Sequence, residues 1–321
     1  MDYKTAGVDL SSLRKAKNDI KSLIKESFKG IYGEGHFASG SFIGNELILA
    51  SVDGVGTKVE IAREMEIYNT IGEDLVNHLV NDMMSTGAEP FLFVDYIAFS
   101  HINPSHIVDI VKGMVKACKE NNLLLVAGET AQMPDIYHEN KFDLAGTIIG
   151  RIEKNSFITG KYIRPSHIIY ALPSSGPHTN GYSLIRKVIK EKDLNLNEKV
   201  FGNKSLGELL LAVHKSYRKD IIASKKYLSG IAHITGGGLK ENIERILPPH
   251  VNARINKQLI RTLPVFKYIM EKGDIKEEEM FKVFNMGIGM VFIAPRKYDL
   301  PFEDGYIIGE IEKGEGKVIL S

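Results

Sequence analysis

The residues with the most evident chemistry lie in the run Ser51-Val52-Asp53-Gly54-Val55-Gly56-Thr57-Lys58. Glycines let backbone N–H groups approach an anion, and Lys58 can neutralise phosphate charge. Asp53 can hold the Mg²⁺ that accompanies a nucleotide. The spacing differs from that of a P-loop and of the dinucleotide-binding fingerprint, so the run predicts phosphate binding without identifying the ligand. A glycine turn with a solvated Asp and Lys is the alternative interpretation.

A second candidate surface lies on one face of a helix predicted over residues 70–87. Apolar side chains at steps of four form one face of this helix, and the opposite face is polar. Its members are Asp74, His78, Asn81, Asp82 and Ser85. A solvated face usually carries Glu, Lys and Arg rather than the poorer helix formers Asn and Asp. The polar face is therefore interpreted as functional, with a solvent-exposed face as the alternative.

Two further glycine-rich runs occur in the second half of the chain, at residues 174–183 and 233–239. Each follows an apolar segment and precedes a helical pattern, and the free N–H groups at a helix start attract anions. His178 and His233 lie in these runs among Ser, Thr, Asn and Gly, where a substrate can reach an imidazole. The three glycine-rich runs together predict two phosphorylated ligands, one of them a nucleotide with Mg²⁺.

The composition excludes several classes of protein. The chain of 321 residues has a net charge of +1, so no overall field attracts nucleic acid or an anionic membrane. Cys118 is the only cysteine, which excludes an internal disulfide or a cysteine-based zinc site and is typical of a reducing cytoplasm. The amino terminus lacks a secretory pattern, and no apolar run reaches the roughly 20 residues of a membrane span. We therefore expect a cytoplasmic protein.

Predicted strands and helices alternate in the first half of the chain and place polar groups at strand ends. Residues 46–52 are predicted to form a strand that delivers Asp53 at its end. Residues 91–98 form an apolar strand that contains Asp95, and a buried acid needs a partner, a metal or a proton. Asn103-Pro104 predicts the start of a helix, because Asn caps and Pro suits the first helical position.

A domain boundary is predicted where this alternation stops. Residues 154–166 form a polar stretch that ends in Arg164-Pro165, and an apolar strand pattern begins soon afterwards. The chain is therefore divided into an N-terminal domain of residues 1–164 and a C-terminal domain of residues 165–321.

The ordered motifs closely resemble those of the phosphoribosylformylglycinamidine cyclo-ligase family, also called aminoimidazole ribonucleotide synthetases, over nearly the whole chain. The matching motifs lie at residues 3–9, 53–58, 70–76, 80–82, 87–90, 95–96, 128–131, 174–183, 232–239 and 284–290. One departure is the loop Gly35-His36-Phe37-Ala38-Ser39, where the family usually has a more glycine-rich sequence, so the role of this loop is left open.

The resemblance implies an α/β fold of the α+β type, the two-domain ATP-binding cyclo-ligase superfamily fold. Its N-terminal mixed sheet would form a barrel with the same sheet of a second copy in a homodimer, and its C-terminal domain would be α/β. It further implies the ATP-dependent ring closure of formylglycinamidine ribonucleotide to 5-aminoimidazole ribonucleotide in purine biosynthesis. ADP and phosphate are released, and the cofactors would be ATP and Mg²⁺.

The resemblance also implies roles for individual residues. The expected metal ligands are Asp53, Asp74 and Asp82. The expected ATP and phosphate contacts are Gly54, Gly56, Thr57, Lys58, Glu129 and Thr130. The expected substrate contacts are Ser175, Gly176, His178, Asn180, His233, Thr235, Gly236 and Gly237. The expected catalytic groups are Asp95, His178 and Lys58.

Other ATP-using members of the superfamily, such as selenophosphate synthetase and thiamine-monophosphate kinase, are alternative assignments. Selenophosphate synthetase commonly has a Cys or selenocysteine near its amino terminus, whereas Cys118 is internal. The kinase is not expected to carry both the Ser-Gly-Pro-His and the His-Ile-Thr-Gly-Gly-Gly run. A catalytically silent nucleotide-binding scaffold is a further alternative, although it should have lost some of Asp53, Lys58, Asp82 and His178, which are all present.

Overall fold

The computed structural model describes residues 1–153 and 155–321. The first half of the chain forms a five-stranded sheet in the order β1-β2-β5-β3-β4, in which only β3 and β4 are parallel. Its strands are Ser39–Ile43 (β1), Glu46–Gly54 (β2), Glu89–Phe99 (β3), Leu124–Gln132 (β4) and Phe142–Glu153 (β5). The helices of this half are Leu10–Ser27 (α1), Lys58–Met65 (α2), Asn69–Ser85 (α3) and Pro104–Glu120 (α4).

Helix α3 covers one face of this sheet and packs against α4 on its other side. The two helices approach closely at Gly72 and Gly113. A Cβ atom added to Gly72 would collide with the carbonyl oxygen of Ile110, and one added to Gly113 would collide with that of Asn69. Glycine is therefore required at this crossing, and the close approach fixes the position of α3 on the sheet.

The opposite face of the sheet carries exposed apolar side chains. Val52 on β2 is 71% exposed, Val126 on β4 is 52% exposed and Tyr96 on β3 is 39% exposed. The inward-facing side chains of the same strands, such as Leu49 and Phe93, are fully buried against α3. One face of the sheet thus belongs to the core of the chain, and the other presents an apolar surface to solvent.

The second half of the chain forms a six-stranded sheet in the order β13-β10-β12-β6-β11-β9. Its strands are His167–Pro173 (β6), Gly230–His233 (β9), Val251–Ile255 (β10), Ile288–Pro295 (β11), Tyr306–Lys313 (β12) and Val318–Leu320 (β13), and a separate hairpin pairs Lys199–Phe201 (β7) with Lys204–Ser205 (β8). The helices are Tyr182–Glu191 (α5), Leu206–Leu210 (α6), Arg218–Ser224 (α7), Gly238–Glu244 (α8), Pro264–Gly273 (α9) and Glu277–Val283 (α10), with 3₁₀ turns at Lys225–Tyr227 and Lys257–Leu259.

Most predicted elements of the first half occur where the sequence places them. Asn103 caps α4, its side-chain oxygen accepting a hydrogen bond from the N–H of Ser105, and Asp53 lies at the end of β2. The run Gly128-Glu129-Thr130 lies within β4. Pairing with the longer strand β3 extends β4 through this run. Among the described residues, no helix has the length and apolar character needed to cross a membrane.

Candidate active site between the two halves

The polar face of α3 is buried and binds the backbone of the second half of the chain. Asn77 donates a hydrogen bond from Nδ2 to the carbonyl oxygen of His214 at 2.8 Å. Asn81 donates from Nδ2 to the carbonyl oxygen of Lys215 at 2.8 Å and accepts one from the N–H of Tyr217 at 2.9 Å. The solvent-exposed alternative is therefore wrong for this helix. Its side-chain amides are buried, and they supply the hydrogen bonds that buried backbone groups of the second half require.

Asp74 and Lys58, which the sequence assigned to metal and phosphate, form a fully buried ion pair of 2.7 Å. Asp74 also accepts a hydrogen bond from the N–H of His214, and Lys58 donates one to the carbonyl oxygen of Ala212. Burial lowers the pKa of Lys58 and raises that of Asp74, and their mutual attraction opposes both shifts. In this conformation the two groups satisfy each other and join the two halves of the chain.

Asp53, Asp82 and His233 lie close together although they are distant in sequence. Asp82 Oδ1 and His233 Nδ1 are 2.7 Å apart. His78, one turn before Asp82 on α3, places its Nε2 atom 3.1 Å from Asp53 Oδ2 and 3.7 Å from Asp82 Oδ2. The ends of β2 and β9 and the middle of α3 thus converge on one polar centre.

Two more histidines extend this centre. His214 Nε2 is 3.0 Å from His233 Nε2, and the ring of His214 stacks on that of His178 with centroids 3.9 Å apart. Both His178 and His214 are fully buried, and their Nδ1 atoms make no hydrogen bond to any residue that the structure describes. The backbone N–H of Ser175 donates to His178 Nε2 at 3.3 Å.

The histidines differ in their protonation. Burial would lower the pKa of His78, but the adjacent Asp53 and Asp82 outweigh it and raise the pKa to about 9. Burial is the largest cause that holds the pKa of His178 and of His214 well below the usual value, and the neighbouring imidazoles lower it further. Burial also lowers the pKa of His233 despite Asp82. At neutral pH, His78 is therefore a cation, and the other three rings are neutral.

The glycine-rich run before α8 is organised by one side chain. Asn242 Nδ2 lies within hydrogen-bond distance of the carbonyl oxygens of Thr235, Gly236 and Gly238, the last at 2.8 Å. Gly237 has a φ of +93°, a left-handed conformation that favours glycine. These contacts turn carbonyl oxygens toward Asn242.

The glycine-rich run of residues 53–58 in the first half and the run of residues 174–183 in the second half lie beside this loop. A Cβ atom added to Gly236 would lie 3.3 Å from Asn180 Oδ1. Thr57 Oγ1, just after Gly54 and Gly56, lies 3.2 Å from Ser183 Oγ. The run that contains Ser175, Gly176 and Asn180 is therefore adjacent to both predicted phosphate-binding runs.

Three predicted residues lie apart from the histidines. Glu129 and Thr130 lie on β4, which is mostly exposed. Asp95 lies on β3, where burial raises the pKa of its carboxyl group. Burial and the proximity of Asp95 raise the pKa of Cys118 to about 12, which places Asp95 beside α4. Among the described residues, no hydrogen bond, ion pair or ring contact joins Asp95 to His178, so the catalytic role of Asp95 stays a prediction.

Sequence reasoning did not identify several residues of the site. His214 lies outside the predicted motifs, Asn77 lies on α3 but was not assigned to its polar face, and His78 was noted only as part of that face. Arg245 was also missed, although its guanidinium carbon lies 4.5 Å from the centroid of Phe37, a ring close to His233. The clustering of four histidines depends on the contact between the two halves of the chain, which single-sequence patterns do not report.

Comparisons with known proteins agree with this arrangement. Residues 38–152 match the N-terminal domain and residues 164–320 the C-terminal domain of the family described as AIR synthase related protein. The chain belongs to the AIR synthase related family. This result confirms the resemblance found in the sequence and the two-domain α/β fold class.

Members of this family with similar sequences are named phosphoribosylformylglycinamidine cyclo-ligase. The protein from Thermoanaerobacter sp. strain X514 is 42% identical, and the alignment covers 100% of each chain. The protein from Geobacillus kaustophilus strain HTA426 is 41% identical over 98% of this chain and 96% of the relative. These relatives confirm the expected enzyme class, a ligase of purine biosynthesis.

Solved structures with low sequence identity share the fold. A structure of AaThiL complexed with AMPPCP and TMP has a TM-score of 0.73 and 16% identity, covering 98% of this chain and 95% of that chain. The hydrogenase maturation protein HypE in complex with ATP has a TM-score of 0.60 and 15% identity, covering 87% and 82%. At such identities, the likeness establishes the fold alone.

Proposed function

We propose that the centre between the two halves closes the imidazole ring of formylglycinamidine ribonucleotide at the expense of ATP. The γ-phosphoryl group of ATP is transferred to the formyl oxygen, and the amidine nitrogen then attacks the formyl carbon. Phosphate departs with that oxygen and a proton is lost, leaving 5-aminoimidazole ribonucleotide and ADP. Phosphorylation is needed because an amide oxygen is a poor leaving group, whereas phosphate departs readily.

The observation that carries this proposal is the convergence of Asp53, Asp82 and His233. The three residues come from three predicted motifs, and the hydrogen bond between Asp82 and His233 spans 151 positions of sequence. The two carboxylates are close together, because Asp53 Oδ2 and Asp82 Oδ2 lie 3.1 and 3.7 Å from the same atom, His78 Nε2. The side chain of Asp53 is about half exposed, so a divalent cation can reach this pair of oxygen ligands. We propose that these two carboxylates hold Mg²⁺, which when bound neutralises charge on the transferring phosphoryl group. Asp74 is left out because Lys58 occupies it.

We assign the role of general base to His178. Its neutral ring at pH 7 leaves it able to accept the proton that the amidine nitrogen loses during ring closure. The Ser175 N–H donates to Nε2, so the proton of the neutral ring is on Nδ1, and the lone pair on Nε2 would take the amidine proton in place of the Ser175 hydrogen bond. Holding both reacting groups in one molecule supplies the orientation that an intramolecular attack requires.

We assign the loop before α8 to the ribose phosphate of the substrate. Thr235, Gly236 and Gly237 form this loop, and its carbonyl oxygens are directed to Asn242. Backbone N–H groups in such a loop can face an anion. Asn180 adjoins Gly236 and would contact the same substrate. The run with Gly54, Gly56 and Thr57 would contact the phosphates of ATP.

We propose further that the enzyme acts in the cytoplasm as a homodimer. The exposed face of the N-terminal sheet carries the apolar side chains Val52, Tyr96 and Val126, and a second copy of the same face would cover it by closing the two sheets into one barrel.

The experiment that tests the proposed function follows product formation from ATP and formylglycinamidine ribonucleotide with wild-type enzyme and a His178→Asn variant. Loss of an acid–base group lowers the rate about 10²- to 10⁴-fold. A variant that retains full activity would exclude His178 as the base.

A further inference from the structure

The metal position proposed above has nitrogen as well as oxygen donors around it. One ligand atom from each of His78, Asp82 and His233 lies within 4.8 Å of the others, and the three residues are buried. Asp53 Oδ2 adds a fourth donor 3.1 Å from His78 Nε2. Atoms that bind one ion tetrahedrally at about 2.0–2.2 Å lie roughly 3.3–3.6 Å apart. Two observed separations, 2.7 and 3.1 Å, are shorter than this value, as hydrogen-bonded pairs are in a metal-free site, and the third, 3.7 Å to the other oxygen of Asp82, is slightly longer.

The orientation of the rings allows two imidazoles to share an ion. The rings of His78 and His233 are nearly perpendicular, with an interplanar angle of 82° and centroids 5.2 Å apart, so their nitrogen lone pairs can converge. His178 and His214 also lie within ligand distance of His233. Their rings, however, are stacked at an angle of 19°, so their lone pairs run side by side and do not converge.

The far nitrogens of both candidate ligands are held in place. His78 Nδ1 lies 2.7 Å from Thr179 Oγ1, which can accept its proton, so a bound ion would displace only the second proton of the imidazolium, the one on Nε2. That Nε2 atom is buried and lies 3.1 Å from Asp53 Oδ2. His233 Nδ1 donates to Asp82 in the metal-free protein; in the metal-bound protein the proton would lie on Nε2, which faces His214 Nε2 at 3.0 Å as an acceptor, and Nδ1 would be free to bind the ion. A hydrogen-bonded far nitrogen is the usual arrangement of metal-binding histidines.

We infer that Asp53, His78, Asp82 and His233 form a mixed oxygen and nitrogen site that binds transition metals of the Mn²⁺ to Zn²⁺ series more tightly than Mg²⁺. Imidazole is a good ligand for these metals, whereas Mg²⁺ prefers oxygen donors and retains water. This inference rests on the metal position of the proposed function. The inference adds His78 and His233 to the two carboxylate ligands, and these nitrogen donors change which metal the site prefers.

The test uses metal-free, full-length protein and the probes Co²⁺, Mn²⁺ and Mg²⁺. We expect pulsed electron paramagnetic resonance of the Mn²⁺ complex to show couplings to ¹⁴N, and Co²⁺ to give visible absorption of a site with nitrogen ligands. The His78→Gln variant should bind Co²⁺ at least about tenfold more weakly, with a change in Mg²⁺ affinity below about threefold. The exposed His101→Gln variant is the matched control and should behave as wild type.

Absence of ¹⁴N coupling in the wild-type Mn²⁺ complex would overturn the inference, and this measurement does not depend on the folding of a variant. An unchanged Co²⁺ affinity in a folded His78→Gln protein would also overturn it. Either result together with Mg²⁺-supported ring closure leaves the proposed function intact. Nitrogen coupling without ring closure in the wild-type protein would instead support the metal site and contradict the proposed function.

Discussion

Asp82 of α3 and His233 of β9 lie in different halves of the chain, and their Oδ1 and Nδ1 atoms are 2.7 Å apart. This contact brings the carboxylate of one motif to the glycine-rich loop of another. The proposed chemistry therefore depends on the relative position of the two halves as much as on the motifs themselves.

Replacing Asp82 by Asn should abolish most ATP-dependent turnover. The amide is nearly the same size but carries no charge to hold a cation, so we expect kcat to fall by about 10²-fold or more. The melting temperature should change by only a few degrees, since Asn can still hydrogen-bond to His233. Steady-state kinetics and thermal unfolding check both statements. A folded, fully active variant would contradict the metal assignment.

Replacing Asn81 by Ala should weaken the contact between the halves. The change leaves the carbonyl oxygen of Lys215 and the N–H of Tyr217 without their partners, which costs about 1–3 kcal/mol for each buried group. Urea unfolding should therefore show a loss of about 2–5 kcal/mol. Asn203→Ala, at an exposed position, is the matched control and should change stability little. Equal stability of the two variants would contradict the role of Asn81.

The Lys58 and Asp74 pair should behave as a structural unit. Lys58→Met leaves a buried carboxylate without its partner and should destabilise the protein by about 3–5 kcal/mol. Adding Asp74→Asn should recover much of this loss, because the buried charge is removed while the hydrogen bond from His214 is retained. Additive losses in the double-mutant cycle would show that the two residues act independently, as separate contacts to phosphate and metal would require.

Stability of the metal-free protein should depend on pH through His78. The folded state raises the pKa of His78 from 6.5 to about 9, so it binds this proton more tightly than the unfolded state does. The resulting stabilisation is fully present below pH 6.5 and is lost as the pH rises toward 9. Urea unfolding at pH 6 and pH 9 should therefore show a larger decrease for wild type than for His78→Gln. Parallel pH profiles would mean that Asp53 and Asp82 do not raise this pKa.

The homodimer should depend on the exposed face of the N-terminal sheet. Val52→Glu places a charge on this apolar face and should convert a dimer to a monomer at micromolar concentration, as measured by light scattering after gel filtration. Ile307→Glu provides the control, because Ile307 is 51% exposed on the other sheet. A monomeric wild-type protein, or a dimer in both variants, would exclude this interface.

Sequence patterns predicted the helices and strands well where their formation depends on residues that are close together in the sequence. The cap at Asn103, the strand that ends at Asp53 and the periodicity of α3 all depend on neighbouring residues, and the structure contains each of them. The mixture of Asn and Asp on α3 correctly indicated that its polar face is not solvated.

Long-range pairing explains what the sequence did not reveal. Lys58 and Asp74 each have a plausible ligand-binding role when considered alone, and only the fold shows that they neutralise each other. His214 lies in no motif, and its position beside His233 results from the hydrogen bonds that Asn77 and Asn81 make to its segment. Such contacts between distant segments leave no periodic pattern in a single sequence.

The most direct test of the central claim is a coupled assay of purified protein with Mg-ATP and formylglycinamidine ribonucleotide, in which 5-aminoimidazole ribonucleotide is detected through its diazotisable amine. We predict that product and ADP form in equal amounts, with wild-type turnover that is lost in Asp82→Asn. Binding of ATP by folded protein without formation of product from verified substrate would contradict the assignment of ring closure to this site.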